Sequence, residues 1–239
     1  MITMVKVFTF CLFGPPNPRY YPVPMLQNIS LIRTYFPEWK VYLYTAPDVQ
    51  EEFLSQVAMY SNVVVRPTGK LGNINMMERF LAIDDEDVEI MMVRDADSHV
   101  HWKDRWAIFD FLNRPEFLAH TIRDNVEHKA KLMGGLWGIR KIPGFKISEL
   151  YEHYIQNPID LKYGLDQSFL TLYVYPYVIN VLLVHVSRGP TFKNEHVIRF
   201  PFMYNHFIFC GRDDGSDFID TPQPKKDALS FIFEKTSLK

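Results

Sequence analysis

The segment Arg94-Asp95-Ala96-Asp97-Ser98 directly follows the apolar run Glu89–Val93. In an extended chain, residues two apart project to one side at roughly 6.5–7 Å, with the residue between them turned to the other side. Asp95 and Asp97 would then concentrate two negative charges at the carboxyl end of a buried strand, the edge at which open α/β sheets bind ligands. Desolvating such a pair is costly unless a cation shares the site. Mg2+ or Mn2+, held by one or two carboxylates and completed by substrate phosphates, meets that need. A short acidic pair also commonly caps a turn, and the motif alone does not choose between the two. Arg94, adjoining it, is a natural phosphate partner.

The elements that must position this pair follow an alternating rhythm. Val5–Phe13 reads as a strand stopped by Gly14-Pro15-Pro16, and Pro24–Phe36 as a helix with apolar residues at helical spacing. Val41–Thr45 is a second strand, and Asp48 offers an N-cap for a helix running to about Tyr60. Asn62–Arg66 is a third strand, Met76–Ile83 a short helix and Glu89–Val93 the fourth strand. Repeated strand–helix units predict a mostly parallel sheet flanked by helices, an α/β fold. Further on, Asp104–Leu112, Ile147–Tyr154 and Leu165–Leu172 read as helices. Leu118–Arg123 and Val178–Val186 read as strands, Lys131–Ile139 as a glycine-interrupted strand, and the tail after Pro222 as a terminal helix. Gly134 and Gly135 in that interrupted strand signal a bulge or a close backbone approach to a ligand. No repeat or linker divides the chain, so one domain over residues 1–239 is expected.

In order and spacing these pieces resemble GT-A-fold nucleotide-sugar-dependent glycosyltransferases, in particular those of large algal DNA viruses and related bacterial enzymes. The likeness runs from the Phe8–Gly14 strand through Phe36-Pro37-Glu38-Trp39, Met77-Glu78-Arg79-Phe80, Arg94–Ser98, Ile122-Arg123-Asp124 and Met133–Gly138 to Gly164–Phe169 and a late histidine. It implies a mixed, mostly parallel sheet with a nucleotide-binding half (about 1–98) and a donor-sugar and acceptor half (about 99–239). It also implies transfer of a sugar from a nucleoside-diphosphate sugar, UDP-linked by the same likeness, to the hydroxyl of a glycan or other acceptor, with inversion. The Mn2+ or Mg2+ on Asp95 and Asp97 would bridge the donor's diphosphate and stabilise the leaving group.

The resemblance also distributes roles, each with an ordinary alternative. Asp166 would be the general base; otherwise it caps the helix that follows it. His185 would be a third metal ligand; otherwise it is a packed, hydrogen-bonded histidine. Arg79 would meet phosphate or base; otherwise it pairs with Glu78 or Asp84. Asp124 would bind donor-sugar hydroxyls, or else occupy a turn. Gly134 and Gly135 would lie close to the donor, and Phe10, Cys11 and Tyr44 would lie beside the nucleoside. Trp137 would stack on a sugar or be buried, and Tyr20, Tyr21, Trp102 and Trp106 would rim the sugar site.

Composition narrows the field. With 26 basic and 28 acidic residues and a net charge of -2, the chain lacks the basic excess of a nucleic-acid binder. Two cysteines, Cys11 and Cys210, rule out a disulfide framework or a four-cysteine zinc module. Aromatics reach 15%, an excess to be divided between core and sugar platform. Lys6 interrupts the apolar start and no cleavage site follows it. The longest apolar stretch, Tyr173–Val186, contains Pro176 and reads as buried sheet rather than a membrane span. A cytoplasmic protein is expected, in the host cytoplasm if the source is viral. Phosphate loops, dinucleotide fingerprints, nucleophile elbows and zinc-protease helices are all missing from the sequence. The rival enzymatic reading is a haloacid-dehalogenase-type phosphohydrolase with Asp95 as nucleophile and the acids around Asp213 as late metal ligands; in such enzymes, however, the acidic motif sits on the first strand. A non-catalytic nucleotide-sugar-binding module is the third reading.

Overall fold

Alternate side chains of the first strand enter different cores. In the computed structural model, which describes residues 3–156, 164–205 and 208–212, β1 (Val5–Leu12) sends Phe8, Phe10 and Leu12 into one apolar cluster and Val7 and Cys11 into another. Burial on both faces explains why this strand reads as a continuous apolar run rather than an alternating one. Its neighbours on either side are β2 (Lys40–Thr45) and β4 (Val88–Arg94), both parallel to it. β3 (Val63–Pro67) forms one edge. Beyond β4 lies β6 (Leu136–Arg140), antiparallel to both β4 and β5 (Ala119–Arg123), then β7 (Leu182–Val186) and β8 (His196–Arg199). Among the described residues the order is therefore β3-β2-β1-β4-β6-β5-β7-β8, one sheet through both halves of the chain.

Helices cover both faces. Phe8, Phe10 and Leu12 pack with α1 (Val23–Tyr35), α2 (Glu51–Ala58) and α3 (Trp102–Leu112), through Met25, Ile29, Ile32, Phe53, Val57, Ile108 and Phe111. The opposite face is covered by the 3-10 helix Gly72–Asp84, by α4 (Ile147–Ile155) and by α5 (Leu165–Phe169), with Phe80, Trp137, Tyr151, Tyr154 and Phe169 at its centre. Among the described residues, more than half of the aromatic side chains are buried in these cores.

Several local expectations change. The stretch Tyr173–Val186 is strand only from Leu182. Before that, α5 continues into a π-helical turn (Leu170–Val174) and then α6 (Tyr175–Val178), whose second residue is Pro176. Pro176, which has no N–H to donate, falls within this continuous helix directly after its π-helical turn. Asp48 does not cap α2; Gln50 holds that position, and Asp48 Oδ1 accepts the Gly14 N–H at 2.9 Å. The strand expected from Lys131 begins only at Leu136. β8, which the sequence reading omitted, completes the far edge. The terminal helix after Pro222 and the acids around Asp213 lie outside the described residues.

The second half is braced by buried polar groups. Arg94 Nε pairs with Asp104 Oδ1 at 2.9 Å, Lys103 Nζ with Asp124 Oδ2 at 2.5 Å and Arg123 with Glu195 at 2.7 Å, all with side chains almost wholly excluded from solvent. Removing one partner from such a pair costs about 3–5 kcal/mol, because the other charge is stranded. His185 joins a second chain of contacts, with His120 Nε2 at 2.8 Å from its Nδ1 and Asp110 Oδ2 at 3.0 Å from its Nε2. Burial lowers the His185 pKa to about 4, against the opposing pull of Asp110 and with a small further push from Arg114. His120 is lowered too, chiefly by burial, with the charge of Arg94 adding to it.

Both imidazoles are therefore neutral in the fold, while their unfolded counterparts bind protons below about pH 6.5. Stability should fall as the pH drops from about 6.5 towards 4, with His185 alone accounting for a loss of about 2 kcal/mol at pH 5. Urea denaturation at pH 7 and pH 5 measures this, and an unchanged unfolding free energy would contradict the buried pair.

Candidate active site

The chain runs from β1 outward through β2 to β3, then returns to lay β4 on the other flank of β1. The direction of winding reverses there, and such a reversal opens a crevice beyond the carboxyl ends of the two strands. Register decides which residues meet in it. Thr9 lies opposite Val93 on the parallel side, so two residues further on Cys11 comes level with Asp95. Arg94 lies opposite Leu136 on the antiparallel side, so Asp95 next meets Gly135.

That last meeting requires a glycine. A Cβ on Gly135 would stand 1.9 Å from Asp95 Oδ2 and 2.2 Å from its Cγ. Here the signal for a close approach was sound, but what approaches the backbone is the carboxylate of Asp95. Gly134 is similarly confined, since its Cβ would lie 3.1 Å from Asp166 Oδ2 and 3.7 Å from Arg79 Nη2. Gln167 fixes this turn: its Oε1 accepts the Gly134 N–H at 3.0 Å and its Nε2 donates to the Leu132 carbonyl.

Arg79, from the 3-10 helix, ties the centre together. Its Nη1 donates to Asp95 Oδ1 at 2.5 Å and to the Arg94 carbonyl at 3.0 Å, while Nη2 donates to Asp166 Oδ2 at 3.0 Å. Its side chain is 3% exposed, whereas that of Asp95 is 45% exposed. Burial pulls the guanidinium pKa down, but the charges of Asp95 and Asp166 and the hydrogen bond to Asp95 more than offset this and keep it firmly protonated. Cys11 forms the floor. Burial pushes its thiol up to about 12; Arg79 opposes this and Asp95, Asp166 and Asp97 add to it, so the group remains a neutral thiol. Asp166 sits in the first turn of α5 rather than at its cap, which is Gly164 in a left-handed conformation; its Oδ1 accepts the Gln167 N–H at 2.8 Å. Asp97 completes the cluster and pairs through Oδ2 with Arg19 Nε at 3.0 Å.

Other expected site residues lie elsewhere. Arg94 points to the α3 face, buried against Asp104 and donating to the Val93 carbonyl, so its strand position turns it away from Asp95. Asp124 is fully buried and committed to Lys103, the Ser187 hydroxyl and the Cys210 N–H, leaving it no sugar to bind. His185 is also fully buried, with both ring nitrogens bonded to His120 and Asp110, and does not join the acidic pair. Phe10 belongs to the α1 cluster on the face opposite Cys11. Tyr44 stands beside Cys11 in register but is 6% exposed, with Arg66 over its ring. Trp137 is core, edge-on to Phe80, and Tyr21 is likewise buried. Trp102 and Trp106 pack against Phe202 beside α3. Arg79 pairs with Asp95 and Asp166 rather than with Glu78 or Asp84.

Three participants had escaped the sequence reading. Gln167 follows Asp166 directly, and its helical position was a usable signal. Arg19 lies in the loop leaving β1, where only its basic charge marked it out. His128 feels the charges of Asp124 and Asp95, yet burial, the larger effect, lowers its pKa to about 4 and keeps it neutral.

The donor set suits a hard divalent cation. Asp95 and Asp97 contribute carboxylate oxygens only, and Gly135 leaves space for Asp95 to fold into the crevice. Among the described residues, no group of three His, Cys, Asp or Glu ligand atoms includes either aspartate; the group that does form is His101, Asp104 and Cys210, elsewhere. Two protein carboxylates with the remaining positions left to phosphates and water is the usual arrangement for Mg2+.

No protein-family model matches the chain, and no curated protein matches it in sequence. Solved structures do match. The 4-diphosphocytidyl-2C-methyl-D-erythritol synthase of Anaerococcus prevotii aligns at TM-score 0.53 and 10% identity, over 77% of this chain and 87% of that one. The mannosyltransferase PcManGT of Pyrobaculum calidifontis, solved with GDP-Man and Mn2+, aligns at TM-score 0.51 and 10% identity, over 78% of this chain and 56% of that one. A glycosyltransferase involved in glycosylating the major capsid of PBCV-1 aligns at TM-score 0.47 and 16% identity, over 76% and 81%. The GT-A-like fold expected from sequence is the fold observed. Among the described residues no helix is long and apolar enough to cross a membrane.

Gly135→Ala should displace the Asp95 carboxylate and destabilise the protein by about 1–3 kcal/mol, the usual cost of overpacking, as read by urea denaturation. Asp124→Ala should lower the unfolding free energy by about 3–5 kcal/mol through the stranded Lys103. An Asp124→Ala protein of native stability would return that residue to the list of ligand contacts.

Proposed function

We propose that the protein is a metal-dependent glycosyltransferase that moves a sugar from a nucleoside-diphosphate sugar, UDP-linked by the sequence likeness, to an acceptor hydroxyl. The observation that carries this reading is the Arg79 brace, which ties Asp95 of the acidic motif to Asp166 of α5 at the sheet's switch point, with Asp97 two residues beyond Asp95. Nucleotide-sugar chemistry needs those two functions side by side, a seat for the diphosphate and a carboxylate facing the sugar. The Pyrobaculum mannosyltransferase, which shares the fold, binds GDP-Man with Mn2+, and this supports the same donor class here.

In this scheme Asp95 Oδ2 and Asp97 would hold a Mn2+ or Mg2+ ion. When bound, that ion supplies Lewis-acid stabilisation of the charge developing on the nucleoside diphosphate. Arg79 neutralises Asp95 Oδ1 and holds Asp166 through its Oδ2. Asp166 accepts the proton of the acceptor hydroxyl as that oxygen attacks the anomeric carbon. One base and no covalent intermediate correspond to inversion. Gln167 holds the Gly134–Gly135 turn, so neither glycine crowds the two carboxylates. The phosphohydrolase alternative expects its acidic motif on the first strand, whereas Asp95 here follows β4.

Thermal unfolding with a panel of nucleotide sugars, in Mn2+ and in EDTA, tests the reading. A ligand at 100 times its dissociation constant should stabilise the protein by about 2.7 kcal/mol, and only with metal present. Asp97→Asn should abolish that shift. Asp166→Asn should retain it while transfer falls by about 100- to 10,000-fold, as expected for a lost general base. The absence of a metal-linked shift with every donor would sink the proposal.

A further inference from the structure

Arg79 pairs with Asp95 and Arg19 with Asp97, and the two arginines differ in burial. Arg79 is buried and its two terminal nitrogens are committed to three acceptors. Arg19 reaches Asp97 from the loop leaving β1, with its side chain 49% exposed. The backbone beneath it is anchored. Asn17 and Tyr21 pair across the turn, the buried Tyr21 hydroxyl donates to the Gly14 carbonyl at 2.6 Å, and the Gly14 N–H is held by Asp48. A fixed loop thus carries a long, solvent-accessible guanidinium to the mouth of the crevice.

An exposed ion pair of this kind is weak, whereas guanidinium–phosphate bonds are charge-assisted and often bidentate. We infer that Arg19 is an exchangeable counter-ion: it occupies Asp97 until a divalent cation takes that carboxylate, and then turns to the diphosphate of the incoming nucleotide. This rests on the reading of the site given above. A guanidinium and a divalent cation on one carboxylate repel each other, so arrival of the metal weakens the hold of Asp97 on Arg19. The released side chain stays within reach of the place where phosphates would complete the metal's coordination. Arg19 therefore opposes metal binding in the nucleotide-free protein and favours nucleotide binding once metal is present. Opposite signs at the two steps are a signature that a merely structural arginine would not produce.

The test uses the full chain and two titrations, with circular dichroism to establish that each variant is folded. Free Mn2+ followed by electron paramagnetic resonance gives the affinity for the metal alone. Calorimetry with UDP and with GDP at saturating Mn2+ gives nucleotide affinity. Arg19→Ala should bind Mn2+ about two- to five-fold more tightly, the scale of a released exposed ion pair. It should bind the nucleotide that wild type prefers about ten-fold more weakly, for the lost charge-assisted bonds. Arg19→Lys, which keeps the charge but not the fork, should stay near wild type for Mn2+ and fall between the two for nucleotide. Unchanged or weaker Mn2+ binding by Arg19→Ala, or unchanged nucleotide binding, overturns the assignment of Arg19 and leaves the reading of the site standing. Wild-type protein that binds neither Mn2+ nor either nucleotide overturns both.

Discussion

One buried guanidinium holds the candidate site in its arrangement. Asp95 ends a strand of the first half of the chain and Asp166 begins a helix of the second, and Arg79 bonds to both. A charge so deeply buried is tolerable only because carboxylates surround it. Those carboxylates, in turn, would repel one another without it. The floor of the crevice, the neutral Cys11 thiol, and its wall, the Gly134–Gly135 turn, are shaped to that cluster. Each feature is a consequence of concentrating negative charge where a parallel sheet changes its direction of winding.

The second half of the molecule answers a different constraint. Its strands carry polar side chains into the core, and each is matched: Arg94 by Asp104, Lys103 by Asp124, Arg123 by Glu195, His185 by His120 and Asp110. These pairs cross between strands and α3 or the loops after β7, and they fix how β5, β6 and β7 sit against α3. Residue types that suggest catalysis in a sequence are here parts of the frame. In the proposed function, chemistry falls to the first half, Asp166 and the glycine turn.

Several parts of this arrangement were legible beforehand. Apolar runs and helix spacing located most of the strands and helices of the first half, because burial on both faces of a parallel sheet leaves a plain signature. The D-x-D spacing marked Asp95 and Asp97 beyond the end of β4, but not their conformation: they lie in a turn in which the Ser98 N–H donates to the Asp95 carbonyl, not in an extended chain. The paired glycines announced a close approach, though not its partner. The late apolar stretch was misread in part, because a π-helical turn, a helix and a buried strand are equally apolar when all are covered.

The sequence by itself determined the fold class and the position of the acidic pair at a strand end. Each follows from interactions within a few residues or from periodicity along the chain. Only the tertiary structure decided that Arg79 would serve Asp95 and Asp166, that Arg19 would cover Asp97, and that Arg94, Asp124 and His185 would be withdrawn into the frame. Which carboxylate a buried arginine meets depends on strand order and register across the whole sheet, and no local spacing encodes that.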